Sequence, residues 1–336
     1  MSKASKAALA FVFVIVAVVV SVPAAYAQGN PYHPVEGWPT LPPNIKWGAV
    51  ISVDSDPKGN IWAFHRAQPP ILEFDPSGKL IKSFGMDMFV QPHGMTIAPD
   101  GNIWVTDAQG KDGKGHQVFK FGPDGKLLMT LGKAGVAGEG PDMFNQPTDV
   151  VVAPNGDIFI SDGHPPDSNG RVVKFSKDGK FIKAWGKHGS GPGEFITPHS
   201  ITMDSRGRIF VADRGNSRIQ IFDQDGKFLD QWKQFGRPSG VYIDKKDNIY
   251  VADSQSNAKQ NPGFKRGIYI GSARTGKVTA MIPFVEADPN ANNNAGIEGI
   301  TADARSNVYG GQTTGMILHK YVKGAAGSKL ASQSAY

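Results

Sequence analysis

Three side chains of metal-ligand type occupy one recurring place in this chain. Eight residues before the turn that punctuates each of its repeats stand Ile51, His93, Thr148, His199, Ser239 and Glu298. Two imidazoles and a carboxylate form a three-ligand set for a divalent metal with a fourth position open. The alternative is that each polar residue simply solvates a wet channel. Seven residues past the same turn stand Arg66, Ala108, Gly163, Arg214, Ser254 and Thr313. Two arginines beside a metal suit an anionic substrate or a developing oxyanion. They suit equally a pair of salt bridges at the surface or between repeats.

The elements that must carry these residues are short strands. Residues 146–232 hold two copies of one pattern, each with β-rich segments separated by Asn-Gly or Asp-Gly turns. The turn marker is Gly59, Gly101, Gly156 and Gly207, then Asp247 and Ser306, which gives six repeats. A period of roughly 40–50 residues with four strands per repeat is that of a propeller blade. The fold class is therefore all-β, a six-bladed β-propeller. The first strand of a blade lines the central channel, so the residues eight before each turn form one ring. His93, His199 and Glu298 fall on alternate blades, about 120° apart, and can converge on the axis. Arg66 and Arg214, on blades one and four, face each other across it. The sixth repeat ends early, with residues 316–322 as its third strand. Residues 31–43 are the natural donor of the missing strand, closing the ring from the other terminus.

Lys3 and Lys6, the apolar run 9–20 and Ala25-Tyr26-Ala27 read as a signal peptide over residues 1–27, cleaved before Gln28. The apolar run is too short to span a bilayer comfortably. The chain is expected to be exported, periplasmic or secreted, with no membrane segment after cleavage. Residues 28–323 form the propeller and 324–336 a disordered tail. The chain has no cysteine, so the fold rests on burial and strand pairing. Its net charge of +6 is dispersed through Asp-Gly-Lys turns rather than interleaved with aromatics, which argues against nucleic acid.

Asp107, Asp162, Asp213 and Asp253 recur too regularly for catalysis and read as caps of blade turns, with His65 in the same place in blade one. His188 is a loop residue. His116 and His319 are expected on outer strands at the surface, and His33 in the closing strand.

The motif Gly191-Pro192-Gly193-Glu194-Phe195, Pro198, Val211-Ala212-Asp213 and 218–222 resembles the NHL repeat. The segments Phe64-His65-Arg66, Pro92-His93-Gly94, Gln146-Pro147-Thr148-Asp149-Val150, Ser161-Asp162-Gly163, Pro198-His199-Ser200 and Ala212-Asp213-Arg214 resemble peptidyl-α-hydroxyglycine α-amidating lyase. The resemblance implies cleavage of an N-acyl-α-hydroxyglycine to an amide and glyoxylate. It implies a channel metal, normally zinc, on three histidines, two of which match His93 and His199. It implies active-site roles for Arg66 and Arg214. Glu298 stands where the family has its third histidine and makes iron or manganese more accessible. His164 stands where the family has a catalytic tyrosine and can serve as a base. Gly299 replaces an aspartate of the family's calcium site, leaving only backbone donors near Val53 and Met95, so that calcium is not expected. The expected ligand is a small anionic α-hydroxy acyl compound. A non-enzymatic scaffold that binds a ligand or protein partner on a propeller face, and a metal-dependent hydrolase, are the competing readings.

Overall fold

The structure is a computed structural model that describes residues 30–164, 167–284 and 296–324. The expected leader (1–27) and cleavage site lie outside the described residues. A short strand β1 (Tyr32–Pro34) precedes blade one, which is β2 (Val50–Ser55), β3 (Ile61–His65), β4 (Ile71–Phe74) and β5 (Leu80–Phe84). Blade two is β6 (Pro92–Ile97), β7 (Ile103–Asp107), β8 (Gln117–Phe121) and β9 (Leu127–Leu131). Blade three is β10 (Pro147–Val152), β11 (Ile158–Asp162), β12 (Arg171–Phe175) and β13 (Phe181–Trp185). Blade four is β14 (Pro198–Met203), β15 (Ile209–Asp213), β16 (Arg218–Phe222) and β17 (Phe228–Trp232). Blade five is β18 (Pro238–Ile243), β19 (Asn248–Asp253), β20 (Gly267–Ser272) and β21 (Val278–Pro283). Blade six takes β22 (Ile297–Ala302), β23 (Val308–Gln312) and β24 (Ile317–Lys323) from the end of the chain and β1 from its start, in the order β1-β24-β23-β22. The sheets are antiparallel.

The turn marker is left-handed in every repeat: φ is +85° at Gly59, +80° at Gly101, +91° at Gly156 and +76° at Gly207. Asp247 (+61°) and Ser306 (+63°) adopt the same conformation without being glycine. This shared backbone state is why different residues mark one position.

The core is divided into wedges rather than gathered at a centre. Each apolar cluster is built by two adjacent blades. Phe210, Ile219 and Ile221 of blade four meet Val241, Ile249 and Val251 of blade five, and equivalent clusters fill the other interfaces. The caps act on the backbone. Asp107 accepts from Val90 N and Gln91 N, Asp162 from Asn145 N, Asp213 from Ile196 N, and Asp253 from Arg237 N. In blade one the acceptor is His65 Nδ1, 3.0 Å from Gly48 N. Each cap ties the end of a second strand to the chain entering the first.

The closing strand is shorter than residues 31–43. Only Tyr32–Pro34 pairs with β24, while Trp38 folds onto Phe74 and Tyr309 at the blade six–blade one seam. Gly324, the first residue of the expected tail, donates to Pro31 O at 2.8 Å; 325–336 lie outside the described residues. Two histidine expectations are corrected. His116 is not on an outer strand: it precedes β8 in a left-handed conformation (φ +52°), is buried, and accepts from Gln146 N at 3.3 Å. The loop entering β8 folds back over it. His319 is half-buried on β24, 2.9 Å from Gln312.

Closure through Tyr32 gives the first expected outcome. Tyr32 is buried among Tyr250, Ile268 and Ile297, so Tyr32→Ala should lower unfolding free energy by about 3 kcal/mol in urea titration. A change within error would show that blade six holds without its donated strand.

Candidate functional site

The six ring residues share a backbone defect. In each blade the pairing between first and second strands slips at that place. Val50 pairs with His65 and Ser52 with Phe64, skipping Ile51. The same slip skips His93 together with Gly94, and then Thr148, His199, Ser239 and Glu298. A bulge bends its strand and re-aims a side chain. All six residues line one axial cavity of about 50 Å³, room for a few water-sized groups.

The bulge also frees a carbonyl for the preceding blade. His93 Nδ1 lies 2.7 Å from Thr148 O, and His199 Nδ1 lies 2.7 Å from Ser239 O. A carbonyl only accepts, so Nδ1 carries the proton in both rings and Nε2 presents a lone pair. This is the arrangement that fixes a ligating histidine. His93 Nε2 is buried with no hydrogen-bond partner among the described residues. The two ring centroids are 4.7 Å apart. Burial first, then neighbouring positive charge from His164 and Arg66 for His93 and from Arg214 for His199, holds both imidazoles well below their usual pKa. Both are neutral at pH 7, the state a metal requires.

His164 joins them from a loop. It follows Gly163, whose φ is +150° and whose Cβ position falls 1.4 Å from Asn169 O, so no other residue fits there. The His164 ring lies 5.5 Å from that of His93 and 5.4 Å from that of His199. One donor atom from each of the three rings lies within 4.8 Å of the others.

Glu298 is on the ring but is engaged elsewhere. Its Oε1 is 3.3 Å from Arg214 Nη1, and both side chains are buried. Ser254 Oγ donates to the same oxygen at 3.5 Å and bonds Ser239 Oγ at 2.6 Å. Arg214 opens a short 3-10 turn (Arg214–Asn216) after β15, and burial lowers its pKa to about 10, against the raising effect of Glu298. Its Nη2 is 2.9 Å from His164 Nε2. Arg66 sits at the rim with Nε donating to Pro92 O at 3.1 Å.

Thus His93 and His199 stand together as the spacing implied. The third imidazole in their group is His164, and the Glu298 carboxylate is turned to Arg214. The signal for His164 was the resemblance, which sets it where the amidating lyases have a catalytic tyrosine; no spacing within the repeats pointed to it. A side chain at 299 has no room, since its Cβ would fall 2.7 Å from Ser52 Cα. Two carboxyls line the cavity as well: burial raises Asp54 to about 6 and Asp149 to about 7.

Fold and site define a six-bladed β-propeller with buried His93 and His199 and half-buried His164 clustered on its axis. The NHL repeat family matches residues 89–121 and 195–222, and a 6-bladed beta-propeller family matches 152–207. The chain is 39% identical over 211 residues to peptidyl-glycine alpha-amidating monooxygenase B of Xenopus laevis, a match covering 53% of this chain and 23% of that protein. It is 34% identical over 224 residues to peptidyl-alpha-hydroxyglycine alpha-amidating lyase 1 of Drosophila melanogaster, covering 56% of this chain and 39% of that one. The matches therefore span less than half the length of these relatives. A solved streptogramin B lyase shares the fold, with a TM-score of 0.56 at 14% identity over 88% of this chain and 98% of the other. Among the described residues no helix is long and apolar enough to cross a membrane.

The depressed imidazoles set a pH dependence. Below the ordinary value of 6.5 the unfolded chain takes up protons that the folded His93 and His199 refuse, so stability falls as pH falls. The raised Asp54 and Asp149 slope the opposite way, so the comparison must be with a variant. In metal-free protein, wild type minus His93→Gln should lose stability by up to about 1.4 kcal/mol per pH unit below about pH 6. A pH-independent difference in urea midpoints between pH 7.5 and 5 contradicts a buried neutral His93.

Proposed function

We propose that this chain is an exported carbon–nitrogen lyase that cleaves N-acyl-α-hydroxyglycine-type compounds to an amide and glyoxylate. The observation that carries the reading is the axial pair His93 and His199, with Nδ1 pinned, Nε2 presented, and Arg66 and Arg214 beside them. The similarity to the amidating relatives supports the same chemistry, and the leader expected from the sequence of residues 1–27 supports export.

The donor set suits a divalent metal, with zinc favoured by neutral imidazoles and iron or manganese as alternatives. His93 and His199 would hold it, with His164 as third donor. A dication there would lower the pKa of the substrate hydroxyl. Arg66 and Arg214 bind the substrate carboxylate. Glu298 takes the hydroxyl proton. The C–N electron pair passes to nitrogen as the C=O of glyoxylate forms, and the proton is returned to nitrogen, releasing the amide.

The shared ring position of Glu298 favours a second assignment, with Glu298 as third donor and His164 as proton acceptor. Two variants separate the two. In the first assignment His164→Ala loses bound metal, while Glu298→Gln keeps it and loses about 10²–10⁴-fold in kcat. The reverse pattern of metal content selects the second. Glyoxylate assayed from metal-loaded protein and N-acyl-α-hydroxyglycine tests the reaction itself. No glyoxylate removes the lyase reading and leaves a propeller that binds without turnover.

A further inference from the structure

His93 and His199 stand on blades two and four, which do not adjoin. Blade three lies between them, and its ring position is Thr148. Thr148 and the residue after it, Asp149, touch both histidine strands. On the blade-two side, Thr148 O accepts from His93 Nδ1 at 2.7 Å and from Thr106 Oγ1 at 3.1 Å. Thr106 Oγ1 in turn accepts from Gly94 N at 2.7 Å, which is why the register slip in blade two takes in Gly94 as well as His93. Gly94 lies so close to blade three that a Cβ there would fall 2.5 Å from Asp149 Cα.

On the blade-four side the same two residues bracket His199. Thr148 Oγ1 accepts from Ser161 Oγ at 2.8 Å. Its one proton goes to Pro198 O at 2.5 Å, the nearer of two carbonyls, the other being Ser161 O at 3.1 Å. Pro198 immediately precedes His199. Asp149 Oδ2 accepts from Ser200 Oγ at 2.7 Å and from Ile201 N at 3.1 Å, the two residues that follow it. Thr106, Thr148 and Ser161 are fully buried, so solvent does not replace a bond lost among them. The outer neighbours each hold one strand. Blade five takes His199 Nδ1 at Ser239 O, and blade one holds Met95 N and Ile97 N through Ser52 Oγ and Asp54. Blade three alone adjoins both.

We propose that Thr148 is a positioning residue that, with Asp149, sets the separation of His93 and His199, so that the two rings stand 4.7 Å apart before any metal arrives. Its carbonyl fixes the ring of one histidine and its hydroxyl the backbone of the other. Two donors already held in place bind an ion without a further loss of conformational freedom. A partner that orients a ligating histidine from behind matters nearly as much as the ligand. The contrast lies on blade one. Ile51, the ring residue between Glu298 and His93, has no hydrogen-bonding side chain with which to span that gap, and the Glu298 carboxylate turns to Arg214. The non-ligand residue of the intervening blade thus decides which neighbours on the axis act as a pair.

This inference rests on the metal-site reading for its purpose, but its first test uses neither metal nor turnover. In the full chain, metal-free, NMR cross-relaxation between the ring protons of His93 and His199 reports their separation. Thr148→Val keeps the carbonyl and the shape and removes the hydroxyl. The His93–His199 cross-peak should weaken in Thr148→Val and recover in Thr148→Ser. The His93 Nδ1–H signal should persist in both, since Thr148 O remains. A residue that served stability alone would lower the urea midpoint and leave the cross-peak of the folded protein unchanged, and that result overturns the inference. Should Thr148→Val fail to fold, Ser200→Ala, which removes a bond to Asp149 beside His199, carries the same cross-peak test. The second measurement is zinc affinity by competition with a chelating indicator. Kd should rise about 10–100-fold in Thr148→Val and return in Thr148→Ser. A Kd equal to wild type in Thr148→Val also overturns the inference. Wild-type protein that takes up no zinc, with a cross-peak that still weakens in Thr148→Val, keeps the spacing role and removes the metal reading.

Discussion

The bulge at the head of each innermost strand is the constraint on which the site depends. A regular ladder would pair every backbone group of that strand and alternate its side chains between the two blade faces. Slipping the register by a residue or two at the same place in six blades does two things. It aims one side chain per blade at the axis, and it leaves that residue's carbonyl without a ladder partner. The freed carbonyls of Thr148 and Ser239 are then used by the histidine of the preceding blade. One defect thus supplies both the ligand atom and the group that fixes its tautomer, and the wedge-shaped cores between blades hold the geometry rigid.

Charge is arranged around these neutral rings in a way that costs stability. Arg214 is a buried cation whose ion pair with Glu298 is long, and burial, with the repulsion of Arg237 and Arg66, has pulled its pKa down to about 10 despite Glu298. Breaking or forming such pairs in a low-dielectric interior rarely yields net stabilisation. The propeller tolerates it because the axis contributes little apolar burial, whereas the inter-blade clusters do that work independently. Neighbouring cations also push His93 and His199 away from protonation. Positive charge at the site therefore favours a neutral ligand set and an anionic guest at the same time.

The caps show how far a repeat pattern can be read. Asp107, Asp162, Asp213 and Asp253 hold equivalent backbone donors, and His65 fills that place in blade one with Nδ1 as acceptor. Their regular recurrence is legible because a cap answers a local backbone need that every blade has. His116 shows the limit. Its place beside a strand suggested the surface, but the loop that covers it is peculiar to blade two, and no period encodes it.

The sequence by itself determined the number of blades, the strand that closes the ring and the six residues at its axis. Each follows from a local property repeated along the chain: a left-handed turn, a two-residue alternation, a short last repeat. It also singled out His93, His199, Glu298, Arg66 and Arg214, and the family resemblance added His164. What only the tertiary structure decided is which of these touch. The spacing placed Glu298 level with two histidines, yet its carboxylate turns to Arg214, 84 residues earlier in the chain, and His164 descends from a loop into the imidazole group. Those contacts depend on how far each bulge rotates a side chain and on where a non-repeating loop returns. A repeat records position along a strand, and carries no information about the direction in which a side chain of one blade leaves it to meet another.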